Sequence, residues 1–175
     1  FSSFGHAGNK LQSDFDYLGP TMNTMEVPSG RTVVYLDEGK ADWRPVVFVG
    51  GSGTSGRVFA ILEFLRETRQ NLKLRFIGVE RNVFGATAFD DSLGYDYYAE
   101  DVEAILAHLG VDEFSLFAIS GGGPYAAVIA SRNAERLISV HLASALTYED
   151  PSALQCVAPA EALTFYTQDP VAWFG

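Results

Sequence analysis

Short, unbroken apolar runs alternate along this chain with stretches whose apolar residues recur every three or four positions. Met25 to Val27, then Pro28-Ser29-Gly30, then Thr32 to Leu36 read as strand, turn, strand, a hairpin. Val46 to Val49 is a four-residue apolar run bounded by turn residues, the pattern of a strand buried on both faces of a parallel sheet. Leu72 to Val79, Phe114 to Ile119 and Leu137 to Leu142 read as further strands. Between them, Val58, Ile61, Leu62 and Leu65 form one helical stripe, and Tyr98, Val102, Ile105, Leu106 and Leu109 form another. Gly110 stands where a helix C-cap glycine belongs, and an Ala-rich helix is expected from about Tyr125 to Ser131. Strands alternating with single helices predict an α/β fold with a doubly wound, mostly parallel sheet. Residues 1–20, rich in Gly, Ser and Asn, read as an irregular arm, and residues 21–148 as the core. From 149 to 175 the character changes to prolines with Phe, Tyr and Trp between them, read as the start of a lid.

Composition narrows this picture only a little. The 175 residues suffice for one compact domain with a core, and 47% hydrophobic residues exclude a disordered chain. A net charge of −10 argues against nucleic acid or an anionic membrane surface as partner, because both demand a basic patch. No apolar run approaches the roughly 20 residues that span a bilayer. Cys156 is the single cysteine, so no internal disulfide forms, and a cytoplasmic location is the expectation. No His/Cys/Asp group has metal-ligand spacing, so neither metal nor cofactor is expected.

The chemistry concentrates at Leu116-Phe117-Ala118-Ile119-Ser120-Gly121-Gly122-Gly123-Pro124-Tyr125. A serine between a buried strand and a helix, with small residues two before and two after, has the mechanics of a nucleophile elbow. The tight turn lifts the hydroxyl to the sheet edge, and the helix that follows aims its first amides at it. Here the flanking residues are Ala118 and Gly122, giving A-x-S-x-G. A glycine-rich turn that only packs, or that cradles an anion, has the same local composition. Neither G-x-G-x-x-G at this turn nor a P-loop anywhere in the chain supports the phosphate version. About seventy residues upstream, Gly50-Gly51-Ser52-Gly53-Thr54-Ser55-Gly56 follows the Val46–Val49 run. Acyl transfer needs two backbone N–H groups converging on the developing oxyanion. Gly121 supplies one as the residue after the serine, and Gly51 or Ser52 supplies the other.

These segments resemble the α/β-hydrolase superfamily over residues 32–145. Arg44 to Gly51 is similar to the strand that ends in that family's His-Gly oxyanion loop, with Gly50 in the place of the histidine. Gly78 to Gly85 resembles its D-R-x-G-x-G turn. Tyr98 to Val102 with Leu109-Gly110-Val111 resembles the helix before the elbow strand, and Arg136 to Val140 the sixth strand. The resemblance implies a serine hydrolase acting on a small ester-like or amide-like acyl substrate, and speaks against the relatives that carry Asp at the elbow. It also implies an acid and then a histidine later in the chain.

The histidines in hand fit that role badly. His6 lies in the arm, His108 at the end of a helix and His141 within a strand. Glu149 or Asp150 occupies a position used for the acid by some members of the family, although a solvated loop explains them as well. Asp90 and Asp91 read as loop residues, and Glu80 and Arg81 as residues that tie a turn together. The expectation is therefore that two further strands, acid and base come from a complementing C-terminal segment or chain, with a homo-oligomer left open. The other reading is a non-catalytic binding or interaction module that keeps the elbow as scaffold.

Overall fold

The computed structural model describes residues 22–55, 66–82 and 90–145. The arm at 1–20, the stripe of Val58, Ile61, Leu62 and Leu65, and the lid at 149–175 lie outside the described residues. The strands are β1 (Met22–Glu26), β2 (Thr32–Glu38), β3 (Arg44–Val49), β4 (Leu74–Val79), β5 (Phe114–Ile119) and β6 (Leu137–Ala143). The helices are α1 (Arg66–Leu72), α2 (Tyr95–His108) and α3 (Gly123–Arg132). One six-stranded sheet runs in the order β1-β2-β4-β3-β5-β6. The first two strands form the antiparallel hairpin, and β2 meets β4 antiparallel. From β4 through β3 and β5 to β6 every pairing is parallel.

This order follows from where the chain can bury itself. β3 is apolar on both faces and takes the middle of the sheet, flanked by β4 and β5. Val47, Val49, Ile77, Leu116 and Ala118 face one side, under Val102, Ile105 and Leu106 of α2 and Ala126 and Ile129 of α3. Phe48, Val46 and Phe76 face the other. On that second side Arg69 of α1 lies 5.8 Å over the Phe76 ring and reaches Glu38 at 2.6 Å. Because the chain passes from β3 to β4 on one side and then to β5 on the other, the strand order reverses at β3. The crevice for a ligand in such a sheet opens at that reversal, beyond the C-terminal ends of the strands.

Element ends follow local chemistry. After α2 the Val111 amide bonds to the Leu106 carbonyl (2.9 Å) and the Gly110 amide to that of Ala107 (3.2 Å). Gly110 at φ 65° is thus the left-handed closing residue that the sequence placed there. The boundary before β4 differs from the sequence reading: Leu72 ends α1, half exposed, and the strand begins only at Leu74. Lys73 makes the break by adopting φ 53°, a left-handed stop without glycine and so without a sequence signal. On β6, Ile138, Val140 and Leu142 remain exposed on the face that Leu116 and Ala118 bury one strand inward.

Arg132 donates from Nε and Nη2 to the two carboxylate oxygens of Glu103 (2.8 and 2.9 Å), tying α3 to α2. Those hydrogen bonds hold the Glu103 carboxyl below its ordinary value of 4.5, against the opposing effect of burial. The unfolded chain then binds the proton more tightly than the folded one. The pair's contribution is whole above that ordinary value and is lost as pH falls through the lowered folded value. Glu103→Gln is expected to melt slightly below wild type at neutral pH, with the two Tm curves converging in acid. Parallel curves from neutral pH downward would show that the pair adds nothing.

Candidate active site

β3 and β5 are parallel neighbours, with Val49 beside Ala118, so the loops after them leave the same edge side by side. Ser120 turns the chain there. Its φ is 48°, in the left-handed region that a serine occupies at a cost of about 1–3 kcal/mol. Ser120 to Gly122 form one tight turn that runs directly into α3, with Pro124 in that helix's first turn.

Glycines allow the two loops to press together. A Cβ on Gly122 would stand 2.5 Å from the Val49 carbonyl oxygen and 2.7 Å from that of Gly50. One on Gly121 would overlap the Ser52 hydroxyl and lie 2.9 Å from the Ser52 nitrogen. One on Gly51 would stand 3.2 Å from Ser120 Cβ. Ser120, Gly121, Gly51 and Ser52, the residues singled out from sequence, are therefore brought to one spot.

The 51–55 loop is held from beneath. The Gly51 carbonyl accepts from the Thr54 hydroxyl (2.5 Å), the Thr54 amide (3.2 Å) and Nη2 of Arg81. Arg81 Nη2 also donates to the Thr54 carbonyl (3.0 Å). The Ser55 hydroxyl donates to Glu80, which is almost fully buried. Thr54 Oγ1 lies 3.0 Å from where a side chain at Gly50 would begin, so a hydroxyl occupies the space next to the position that carries histidine in the resembling family. The Arg81 guanidinium stacks 5.1 Å from the Tyr125 ring, and Tyr125 meets Tyr95 and Tyr98 edge-on at 4.7 and 5.1 Å. Tyr98 donates to the Val79 carbonyl (3.0 Å), and burial raises its phenol well above the usual range. Burial likewise pushes Tyr97 up to about 12.

The other candidates stand elsewhere. His108 ends α2, some 20 Å of helix from its first turn, with its ring edge-on to Tyr35 at 6.3 Å. His141 pairs in register with Phe117 and lies 3.0 Å from the Ser139 hydroxyl, about three strand positions back from the level of Ser120. Asp90 accepts from the Ser92 amide and hydroxyl (2.9 and 2.6 Å), which hold its carboxyl below the ordinary range. It closes a loop with Asn82 and carries no catalytic geometry. Asp91 is exposed in the same turn. His6, Glu149 and Asp150 lie outside the described residues. Among the described residues no group of three His, Cys, Asp or Glu could hold a metal ion, and no helix is long and apolar enough to cross a membrane.

No protein-family model matches the chain, and no curated protein sequence matches it. Solved structures do. The esterase RhEst1 from Rhodococcus sp. ECU1013 is 24% identical with a TM-score of 0.59, over 72% of this chain and 46% of that one. A structure reported among novel epoxide hydrolases of the alpha/beta hydrolases superfamily, from metagenomes of hot environments, is 18% identical with a TM-score of 0.60, over 79% and 46%. Est816, described as an N-acyl homoserine lactone degrading enzyme, is 22% identical with a TM-score of 0.64, over 87% and 54%. The chain has the α/β-hydrolase fold. It spans about half the length of these structures.

The contact between the two loops is open to test. Gly122→Ala forces a methyl against two backbone carbonyls and is expected to destabilise the fold by about 1–3 kcal/mol, read as a lower denaturant midpoint. A midpoint equal to wild type would mean that the elbow does not bear on the loop after β3.

Proposed function

We propose that this chain carries the nucleophile and the oxyanion hole of a serine hydrolase acting on an ester-like or amide-like acyl substrate. The observation that carries the reading is the strained Ser120 turn, with the Gly121 and Ser52 backbone nitrogens gathered beside it. In the reaction the Ser120 hydroxyl attacks the acyl carbonyl carbon while its proton passes to a base. The carbonyl oxygen becomes an oxyanion that accepts hydrogen bonds from the Gly121 and Ser52 amides. Collapse of the tetrahedral adduct expels the alcohol or amine, which takes up the proton, and leaves an acyl group on Ser120. Water then repeats the sequence and frees the acid.

The base and its orienting carboxylate come, in this reading, from a C-terminal segment or chain that continues the sheet beyond β6. The exposed apolar row Ile138, Val140 and Leu142 supports that arrangement, because a soluble protein does not leave such an edge bare. Serine at the elbow, instead of aspartate, favours acyl transfer over the epoxide opening named for some of the similar structures. A non-catalytic binding module is the second reading, favoured by the distance of His108 and His141 from Ser120.

Treatment of the protein together with that C-terminal segment or chain, using an alkyl fluorophosphonate followed by intact mass, decides between them. The expected result is a single adduct that maps to Ser120 and is absent from Ser120→Ala. Turnover of a short-chain aryl ester should fall in that variant by about 10³-fold or more. No adduct, with equal turnover by wild type and Ser120→Ala, would leave the binding module as the reading.

A further inference from the structure

We propose that Arg81, backed by Glu80, is the positioning residue that aims the oxyanion-hole amide of Ser52; this rests on the serine-hydrolase reading above. The Gly51 carbonyl and the Ser52 N–H belong to one planar trans peptide unit and point in opposite directions. Whatever holds the carbonyl therefore aims the amide. The Thr54 hydroxyl and amide hold it from within the loop, and Arg81 Nη2 holds it from outside while also reaching the Thr54 carbonyl at 3.0 Å, so the guanidinium anchors that closed turn to β4.

The loop needs such a tie. Gly50, Gly51 and Gly53 leave its backbone free to rotate, and Gly53 stands at φ 68°. A turned-over 51–52 peptide would put a carbonyl oxygen where the substrate's oxyanion has to sit and would aim the N–H away. A cation on the far side of the peptide opposes that turn, since it attracts the carbonyl oxygen and repels the amide hydrogen. Arg81 is itself immobilised. It is 7% exposed and stacks on Tyr125, on the helix that begins at the elbow. Glu80, adjacent in sequence, fastens the next residue of the loop through the Ser55 hydroxyl. The Glu80-Arg81 dipeptide at the end of β4 thus links the loop after β3 to the first turn of α3. Arg81 acts on the loop from below and is assigned no contact with substrate.

The test pairs kinetics with amide hydrogen exchange on Arg81→Met and Arg81→Lys. For Arg81→Met we expect kcat on the aryl ester to fall about 10- to 100-fold with KM within about threefold. That is somewhat less than the 10²–10³-fold typical when an oxyanion donor is removed outright. Exchange should quicken over residues 51–55 while β3 and β5 stay protected. Arg81→Lys keeps the charge without the fork and should recover part of kcat. Should Arg81→Met fail to fold, Arg81→Lys decides: a kcat reduced about three- to tenfold at constant KM upholds the assignment, and a wild-type kcat overturns it. Wild-type kcat in folded Arg81→Met also overturns it, whether or not the loop loosens. Ester turnover by the wild type, assayed with the C-terminal segment or chain that supplies the base, no greater than that of Ser120→Ala removes the hydrolase reading and this assignment with it. Ser120-dependent turnover indifferent to Arg81 removes this assignment alone.

Discussion

The structure turns on how closely two backbones approach at the C-terminal ends of β3 and β5. Parallel pairing brings Val49 and Ala118 together, and the strands then hand over to loops that have nowhere to go but against each other. A methyl group at Gly122 would already collide with two carbonyl oxygens, so the sequence at 50–51 and 121–122 is dictated by contact distance before any chemistry is considered. The left-handed φ of Ser120 is a consequence: the chain must leave β5 and enter α3 within three residues, under a neighbour that cannot yield. Strain of this kind persists only when rigid surroundings over-determine it. They do so here through the buried Leu116 and Ala118 on the strand side and Ala126 and Ile129 on the helix side.

Charge is distributed to suit that spot despite the acidic total. The buried or half-buried acids Asp37, Glu38, Asp101 and Glu103 are matched by Arg75, Arg69, Arg31 and Arg132, all at 2.6 to 2.8 Å. These pairs join elements to one another and lie away from the elbow. At the elbow itself, the partial charges are backbone amides and the first turn of α3, with the Arg81 guanidinium one layer below. The net charge of the chain therefore says nothing about the field at Ser120. The four acids named are neutralised where they stand, and the net charge of −10 comes from the others.

Much of this was legible in the sequence, and what was not has a common cause. Apolar runs located β2 to β6 and the Tyr98–Leu109 stripe located α2, because burial on one or both faces is written into each segment by itself. β1 runs Met22–Glu26, three residues earlier than the Met25–Val27 reading, because its half-exposed residues carry little apolar signal. That Ser120, Gly121, Gly51 and Ser52 lie together was legible because each glycine-rich turn directly follows a buried strand. The start of β4 was misplaced by two residues, since Lys73 adopts a conformation that normally advertises itself with glycine. Arg81 read as a residue tying some turn together, but which turn was not visible. That depends on β4 lying beside β3, a pairing between segments about thirty residues apart. The same holds for Thr54, whose hydroxyl fills space beside Gly50 that sequence comparison alone would mark as simply vacated.

The two halves of acyl transfer place different demands on a fold, and on the proposed reading this chain would meet them unequally. Stabilising an oxyanion needs backbone donors fixed to within fractions of an ångström, which the two central strands and the loops clamped between them can supply locally. Moving the proton needs a side chain of suitable basicity within hydrogen-bond reach of Ser120. The described histidines are spent elsewhere, His108 against Tyr35 at the opposite end of α2 and His141 against Ser139 on the edge strand. On the hydrolase reading, a hole without a base retains about 10³–10⁴-fold of the catalysis over water, and removing one donor of the hole costs about 10²–10³-fold in kcat. The centre of the sheet holds what requires rigidity. On the same reading, what requires only reach falls to a segment that would extend the sheet past β6, where Ile138, Val140 and Leu142 are exposed.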